Sequence, residues 1–337
     1  MLALFSAVAL GASPQLPAEH DRRMIADAQA IVRNEGDLLW AGLSQAPLPI
    51  LLIGPERETL FCGLPTQGFS AIGFDPITRC TMQLRAREQP VDLAAATDLG
   101  NVSVIQMGLP EALEATPADW IVTFLHETFH QYQSTLPEYF SAVDSVRARL
   151  GKTSEQWVLE YPFPYADPKV RASFAAMTMR AGQFLSAEND AQAETAIRSY
   201  VEARNRARDA MSPDDWLYYE FQVGQEGVAR WTELRFAAAA GNARPDIATI
   251  SKERTGGLAV SLSAIDRQGL NMWRRSSFYV LGAIEASMLE RVRPQWQLEY
   301  ATNPFAMGSM LNASLDEMAS QAKLELRSGQ TLVSEQF

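Results

Sequence analysis

Residues 116–137 read TPADWIVTFLHETFHQYQSTLP, and the rest of the chain is best read outward from them. Thr116 can cap a helix, Pro117 suits its first turn, and Asp119 favours the positive end of the helix dipole. Pro137 supplies a stop, so the pattern predicts one helix over about 117–136. Apolar Trp120, Ile121, Phe124 and Leu125, followed by Phe129 and Tyr132, predict that this helix is largely buried. Embedded in it is His126-Glu127-Thr128-Phe129-His130. A spacing of four places the two imidazoles on one face, one turn apart. Both can then reach a single zinc ion at ordinary Zn–N distances. Glu127 falls on the neighbouring flank, placed to take a proton from an attacking water rather than to bind the metal. The competing reading is a buried helix whose histidines only satisfy hydrogen bonds. It must treat as chance that two of the chain's three histidines stand at this spacing.

Upstream of this helix the texture is mixed. Ala18 to about Ser44 carries Met24, Ile25, Ala28, Ile31, Val32, Leu38 and Leu39 at helical spacing. Five short apolar runs then follow between Gly, Pro and Asp residues: Leu48–Gly54, Thr59–Cys62, Ser70–Phe74, Cys80–Leu84 and Val102–Met107. They predict a small, antiparallel sheet with short connections. Downstream the pattern is helical: Pro168–Ser186, Asn189–Met211, Pro213–Ala240, Asn271–Val292 and Ala313–Leu326. The expected fold class is therefore α+β and mostly helical, with the sheet packed on a helical region. The expected division is 14–115 for the first helix plus sheet and 116–337 for the helical, metal-binding part.

Composition narrows the partners. The 337 residues are 47% hydrophobic and 20% charged, as in an ordinary globular protein, with a formal net charge of −11. Phosphate backbones need a basic face, so nucleic acid is not an expected partner. Residues 1–13, MLALFSAVALGAS, form a short apolar run ending in small residues, as in a secretory signal, so export to the periplasm or beyond is expected. No Lys or Arg precedes Arg22, which leaves a buried N-terminal segment as the alternative. No run of about 20 apolar residues predicts a membrane span. Cys62 and Cys80 form a reasonable disulfide if the chain is exported, and two buried thiols if it is not. Neither belongs to a CxxC pair, which argues against a cysteine zinc site.

The HETFH segment resembles the active-site helix of zincin metallopeptidases. That resemblance implies one zinc per chain, a peptide or protein substrate and a third protein ligand. Gln133 and Leu136 stand where a metzincin would have Gly and His, and His20 lies at the N-terminal edge. A carboxylate from a later helix is then implied, as in the gluzincin group that includes thermolysin. Residues 225–233, QEGVARWTE, resemble the third-ligand helix of gluzincin-like peptidases and point to Glu226. Glu220 and Glu233 remain alternatives. Gly227 would let this helix approach a neighbour closely, as a shared metal demands. Arg230 and Glu233 fall on the face of Glu226 at i+4 and i+7. The thermolysin-type pattern has an acid at the position of Arg230, so Glu233 is the candidate for orienting a histidine. Residues 273–282, WRRSSFYVLG, resemble the following helix of such proteins and offer Tyr279, with Arg275 second, as the oxyanion donor. Zincin folds also carry an edge strand along the substrate cleft, and Asn101–Met107 is the candidate, an ordinary sheet strand being the alternative. The expected activity is zinc-dependent peptide hydrolysis. A zincin-fold scaffold without activity, or a zinc hydrolase of a non-peptide amide or ester, are the competing functions.

Overall fold

The computed structural model describes residues 16–154 and 156–334, and from 321 onward the backbone alone. The signal-like run 1–13 lies outside the described residues. The chain divides into two compact units. One comprises the described residues up to Ala30 with Pro47–Phe124, the other Ile31–Ala46 with Leu125 onward.

The first unit holds the start of helix α1 (Glu19–Leu39) and a six-stranded sheet. Its strands are β1 (Ile50–Ile53), β2 (Arg57–Phe61), β3 (Ser70–Asp75), β4 (Cys80–Ala86), β5 (Ala94–Leu99) and β6 (Val102–Gly108), in the order β3-β4-β2-β1-β6-β5. Four of the pairings are antiparallel, but β1 and β6 run parallel. The all-antiparallel expectation is thus corrected. A parallel pair needs a long crossover, and the chain through β2–β5 supplies it. Strand β5 was not expected, because its sequence AAATDL lacks the β-branched and aromatic residues that mark strands. Its presence also corrects the edge-strand expectation: β6 is paired on both sides, and β5 forms that edge. One sheet face buries Leu51, Ile53, Leu60 and Val104. Cys62 and Cys80 are bridged, tying the end of β2 to the start of β4.

The second unit is helical. Its elements are the remainder of α1, then α2 (Pro117–Gln133, from Leu125), α3 (Tyr139–Arg149), α4 (Trp157–Glu160), α5 (Pro168–Leu185), α6 (Asp190–Ala210) and α7 (Pro213–Gln222). A π-helical turn at Val223–Gly227 leads into α8 (Val228–Gly241). Helices α9 (Pro245–Gln268), α10 (Leu270–Trp273), α11 (Ser276–Val292), α12 (Trp296–Thr302) and α13 (Met307–Ser334) follow. The sequence pattern missed α9 because Gly256-Gly257 interrupts it, and joined α10 to α11, which Arg274 separates with φ 45° and ψ −131°. Trp40, just beyond α1, is the hub of the core. Its indole N–H donates to Thr232 Oγ1 at 3.0 Å. Its ring meets those of Phe129, Tyr300 and Trp296 at centroid distances of 4.8, 5.3 and 5.6 Å. These contacts fix the buried side of α2 against α8 and α12. No helix among the described residues is long and apolar enough to cross a membrane.

The disulfide closes a loop of 18 residues, and the loop-entropy argument assigns such a bridge about 3 kcal/mol. Replacing both cysteines by serine should lower the stability of the sheet unit by that amount, read as a shifted denaturant midpoint. An unchanged midpoint would mean that the bridge constrains nothing.

Candidate metal centre

The helix start expected at Thr116 is present. The Asp119 amide donates to Thr116 Oγ1 at 3.1 Å, and the threonine hydroxyl donates back to Asp119 Oδ2 at 2.8 Å. Once α2 is set in register, His126 and His130 project from one face, 11% and 12% exposed. Their Nε2 atoms are 3.1 Å apart. Glu226 comes to the same point from the π turn, its Oε2 3.7 Å from His126 Nε2 and 3.2 Å from His130 Nε2. His126, His130 and Glu226 form a group able to hold a metal ion.

The protonation pattern decides what this group can hold. His130 Nδ1 is 2.7 Å from Gln133 Oε1, an acceptor, and 3.3 Å from Gln225 Nε2, a donor; the shorter contact favours the hydrogen on Nδ1, which leaves the neutral ring a lone pair turned inward at Nε2. His126 Nδ1 lies 3.0 Å from Glu233 Oε2, close to the carboxylate though not aligned as a hydrogen bond, which favours the same tautomer. With both rings neutral, two lone pairs and a carboxylate oxygen converge with no donor among them. Their separations of 3.1–3.7 Å bracket the roughly 3.3 Å expected between donors on a tetrahedral zinc. A cation satisfies this arrangement, and the two-nitrogen, one-oxygen set suits zinc.

Other groups hold the three in place. Glu233 Oε1 accepts from Arg230 at 2.6 Å and from Arg254 at 3.0 Å. Burial would raise the Glu233 pKa, but Arg230, His126 and Arg254 outweigh it and bring it down to about 2. It therefore faces His126 as a carboxylate at every working pH. Glu220, the other alternative ligand, is elsewhere: both of its oxygens accept from Arg204, at 2.8 and 2.7 Å. His20 stands beside Asp21 and is not among the converging donors.

The π turn was not foreseen, and Glu226 is presented by it. A π turn leaves carbonyls without their usual helical partners, and such turns recur at functional sites. Here Gly224 O accepts from the Tyr300 hydroxyl at 2.7 Å, and Gln225 O from Gln133 Nε2 at 3.1 Å. Gln133 Nε2 also donates to Tyr300 Oη at 2.6 Å. One glutamine thus ties the second histidine to the turn that carries the glutamate. Its position three residues after His130 put it on the histidine face, a signal present in the sequence. Tyr300 and Arg254 had none.

Gly227 does permit a close approach, and the neighbour is α11. A Cβ there would come within 2.4 Å of Gly282 Cα, so the contact is with α11 and not with the histidine helix. That approach brings Tyr279 of α11, and Arg275 at its N-cap, to the site. The Tyr279 ring lies within 5° of parallel to His126, centroids 6.4 Å apart. Arg275 Nη1 is 4.0 Å from Glu226 Oε1. Burial first, and then the Glu226 carboxylate, push the Tyr279 pKa well up, so it remains an O–H donor. Glu127 is buried beside His126.

Comparison with protein-family models, with curated proteins and with solved structures finds no match for this chain. The site must be argued from its own geometry.

Two outcomes are expected of that geometry. In the metal-free protein burial would lower the His126 pKa, but Glu226 and Glu233 push it up to about 10. The folded apo site therefore holds a proton at neutral pH that a metal must displace. Zinc affinity should rise about tenfold per pH unit for each proton displaced between about pH 6.5 and 8.5. Calorimetry in buffers of different ionisation enthalpy would count the protons, and a count of zero would contradict the assignment. Separately, Gln133→Leu should weaken zinc binding by about 10–100-fold while leaving one zinc per chain at saturation. A competing chromophoric chelator reads this directly.

Proposed function

We propose that the chain is a zinc-dependent hydrolase, acting on peptide bonds, with His126, His130 and Glu226 as ligands. The observation that carries this is the convergence of three acceptor atoms, with the charge of Glu127, which is not among them, felt at both histidines. Bound zinc would supply a Lewis acid for the scissile carbonyl and acidify a water. Everything else falls to the protein's own side chains. Glu127, next in sequence to His126, takes the proton of the attacking water and passes it to the departing nitrogen. Glu233, held anionic by two arginines, keeps the His126 ring oriented. Tyr279, kept protonated by its surroundings, donates to the oxygen on which negative charge develops.

Glu127 also distinguishes this proposal from an inactive scaffold, which needs ligands but no base. The Cys62–Cys80 bridge supports export, since reducing compartments seldom keep such bridges. The peptide bond, as against another amide or an ester, rests on the resemblance of the HETFH helix to zincins.

The first experiment is elemental analysis of purified wild type, Glu226→Ala and Glu127→Gln, followed by digestion of a broad peptide library. Wild type should carry about one zinc and Glu226→Ala should lose most of it. Glu127→Gln should keep its zinc and lose about 10²–10⁴-fold in kcat. Full activity in Glu127→Gln would refute its role as base. No zinc in wild type, even after incubation with the metal, would refute the enzyme.

A further inference from the structure

The guanidinium groups around the centre are unevenly engaged. Arg230 and Arg254 both serve Glu233 Oε1. Arg275 does not serve a carboxylate so closely. Among the described residues the only acid within 4.0 Å of it is Glu226, and the oxygen concerned is Oε1, turned away from the histidines. The Arg275 side chain is 30% exposed, with its guanidinium carbon 5.6 Å from the Tyr279 ring centroid. Its charge reaches two further phenols, Tyr165 and Tyr218, where it opposes the upward push of burial on their pKa values. Arg275 stands at the N-cap of α11, about one turn before Tyr279, and the positive-φ backbone of Arg274 makes the break that precedes it.

The charge balance favours an anion. With a divalent ion bound, Arg230, Arg254 and Arg275 offset Glu127, Glu226 and Glu233, and the charge of the ion remains uncompensated. A site of that sign attracts carboxylates and repels ammonium groups. A planar guanidinium with most of its donors unspent, one face against an aromatic ring, is suited to a carboxylate in two-pronged fashion. Its ion pair with Glu226 Oε1 is loose enough for a substrate carboxylate to compete.

We infer that Arg275 is the anion-recognition residue of this centre, and that the substrate carries a carboxylate close to the bond that is cut. Two sources share that chemistry, the free C-terminus of a peptide and an acidic side chain. The inference rests on the zinc-hydrolase proposal, so its test must separate the two.

Three dipeptides whose N-terminus is acylated with a hydroxamic-acid-bearing group serve as probes: Leu-Ala with a free C-terminal carboxylate, Leu-Ala amide, and Glu-Ala amide. Their dissociation constants are measured by calorimetry on zinc-loaded wild type, Arg275→Gln and Arg275→Lys. Wild type should bind one charged probe at least about tenfold more tightly than Leu-Ala amide, and which one it prefers identifies the source. Arg275→Gln should bind all three alike, and Arg275→Lys should recover part of the preference. If wild type binds all three equally, or Arg275→Gln keeps the preference, the inference is overturned and the hydrolase proposal stands. If no hydroxamate binds zinc-loaded wild type, the hydrolase proposal falls and takes the inference with it.

Discussion

Three acceptors meeting without a donor form the constraint on which the site depends. Two imidazole lone pairs and a carboxylate oxygen repel one another, and in a largely buried setting that repulsion is poorly screened. A protein can maintain such a cluster only if a proton or a cation is placed in it and rigid neighbours hold the contributors. Both conditions are visible. The raised pKa of His126 shows how strongly the metal-free site retains a proton. The spacing of the donors shows what can replace it.

The rigid neighbours come from three directions. Trp40 and its aromatic partners fix the buried side of α2. Gln133 and Tyr300 take up the carbonyls released by the π turn and thereby couple His130 to Glu226. Gly227 and Gly282 let the turn and α11 meet backbone to backbone, with Tyr279 and Arg275 brought beside Glu226 as a consequence. Side chains at either glycine would have to displace main chain rather than a flexible side-chain end. The candidate metal ligands, the proposed oxyanion donor and the proposed anion receptor are thus products of one packing solution.

Within this arrangement the acids have divided roles. Glu226 turns one oxygen inward to the histidines and the other toward Arg275. Glu233 has the same type of neighbours but is neutralised by two arginines and left facing His126. Glu220 shares the helical segment but is taken up by Arg204, the Trp216 indole and the Gly308 amide. Their chemistry is identical in isolation, so environment alone assigns the parts.

Local pattern was enough to read the capped helix, expected over 117–136 and found over Pro117–Gln133, the His126/Glu127/His130 spacing, five of the six described strands and most of the long helices. In each case the information lies within one or two turns of the chain, where periodicity and capping act. The spacing of Glu226 and Glu233 was legible too, and the resemblance of QEGVARWTE to a third-ligand helix pointed to Glu226, but excluding Glu220 and Glu233 was left to the fold. That choice depends on which helices meet. The parallel β1–β6 pair, the unremarkable sequence of β5, the break at Arg274 and the π turn likewise have no local signature strong enough to announce them. Sequence by itself determined which side chains could do the chemistry, because residue type and helical spacing are local properties. Tertiary structure decided which of them share a point in space, because lone pairs, charges and glycine contacts acquire their meaning only from partners distant in the chain.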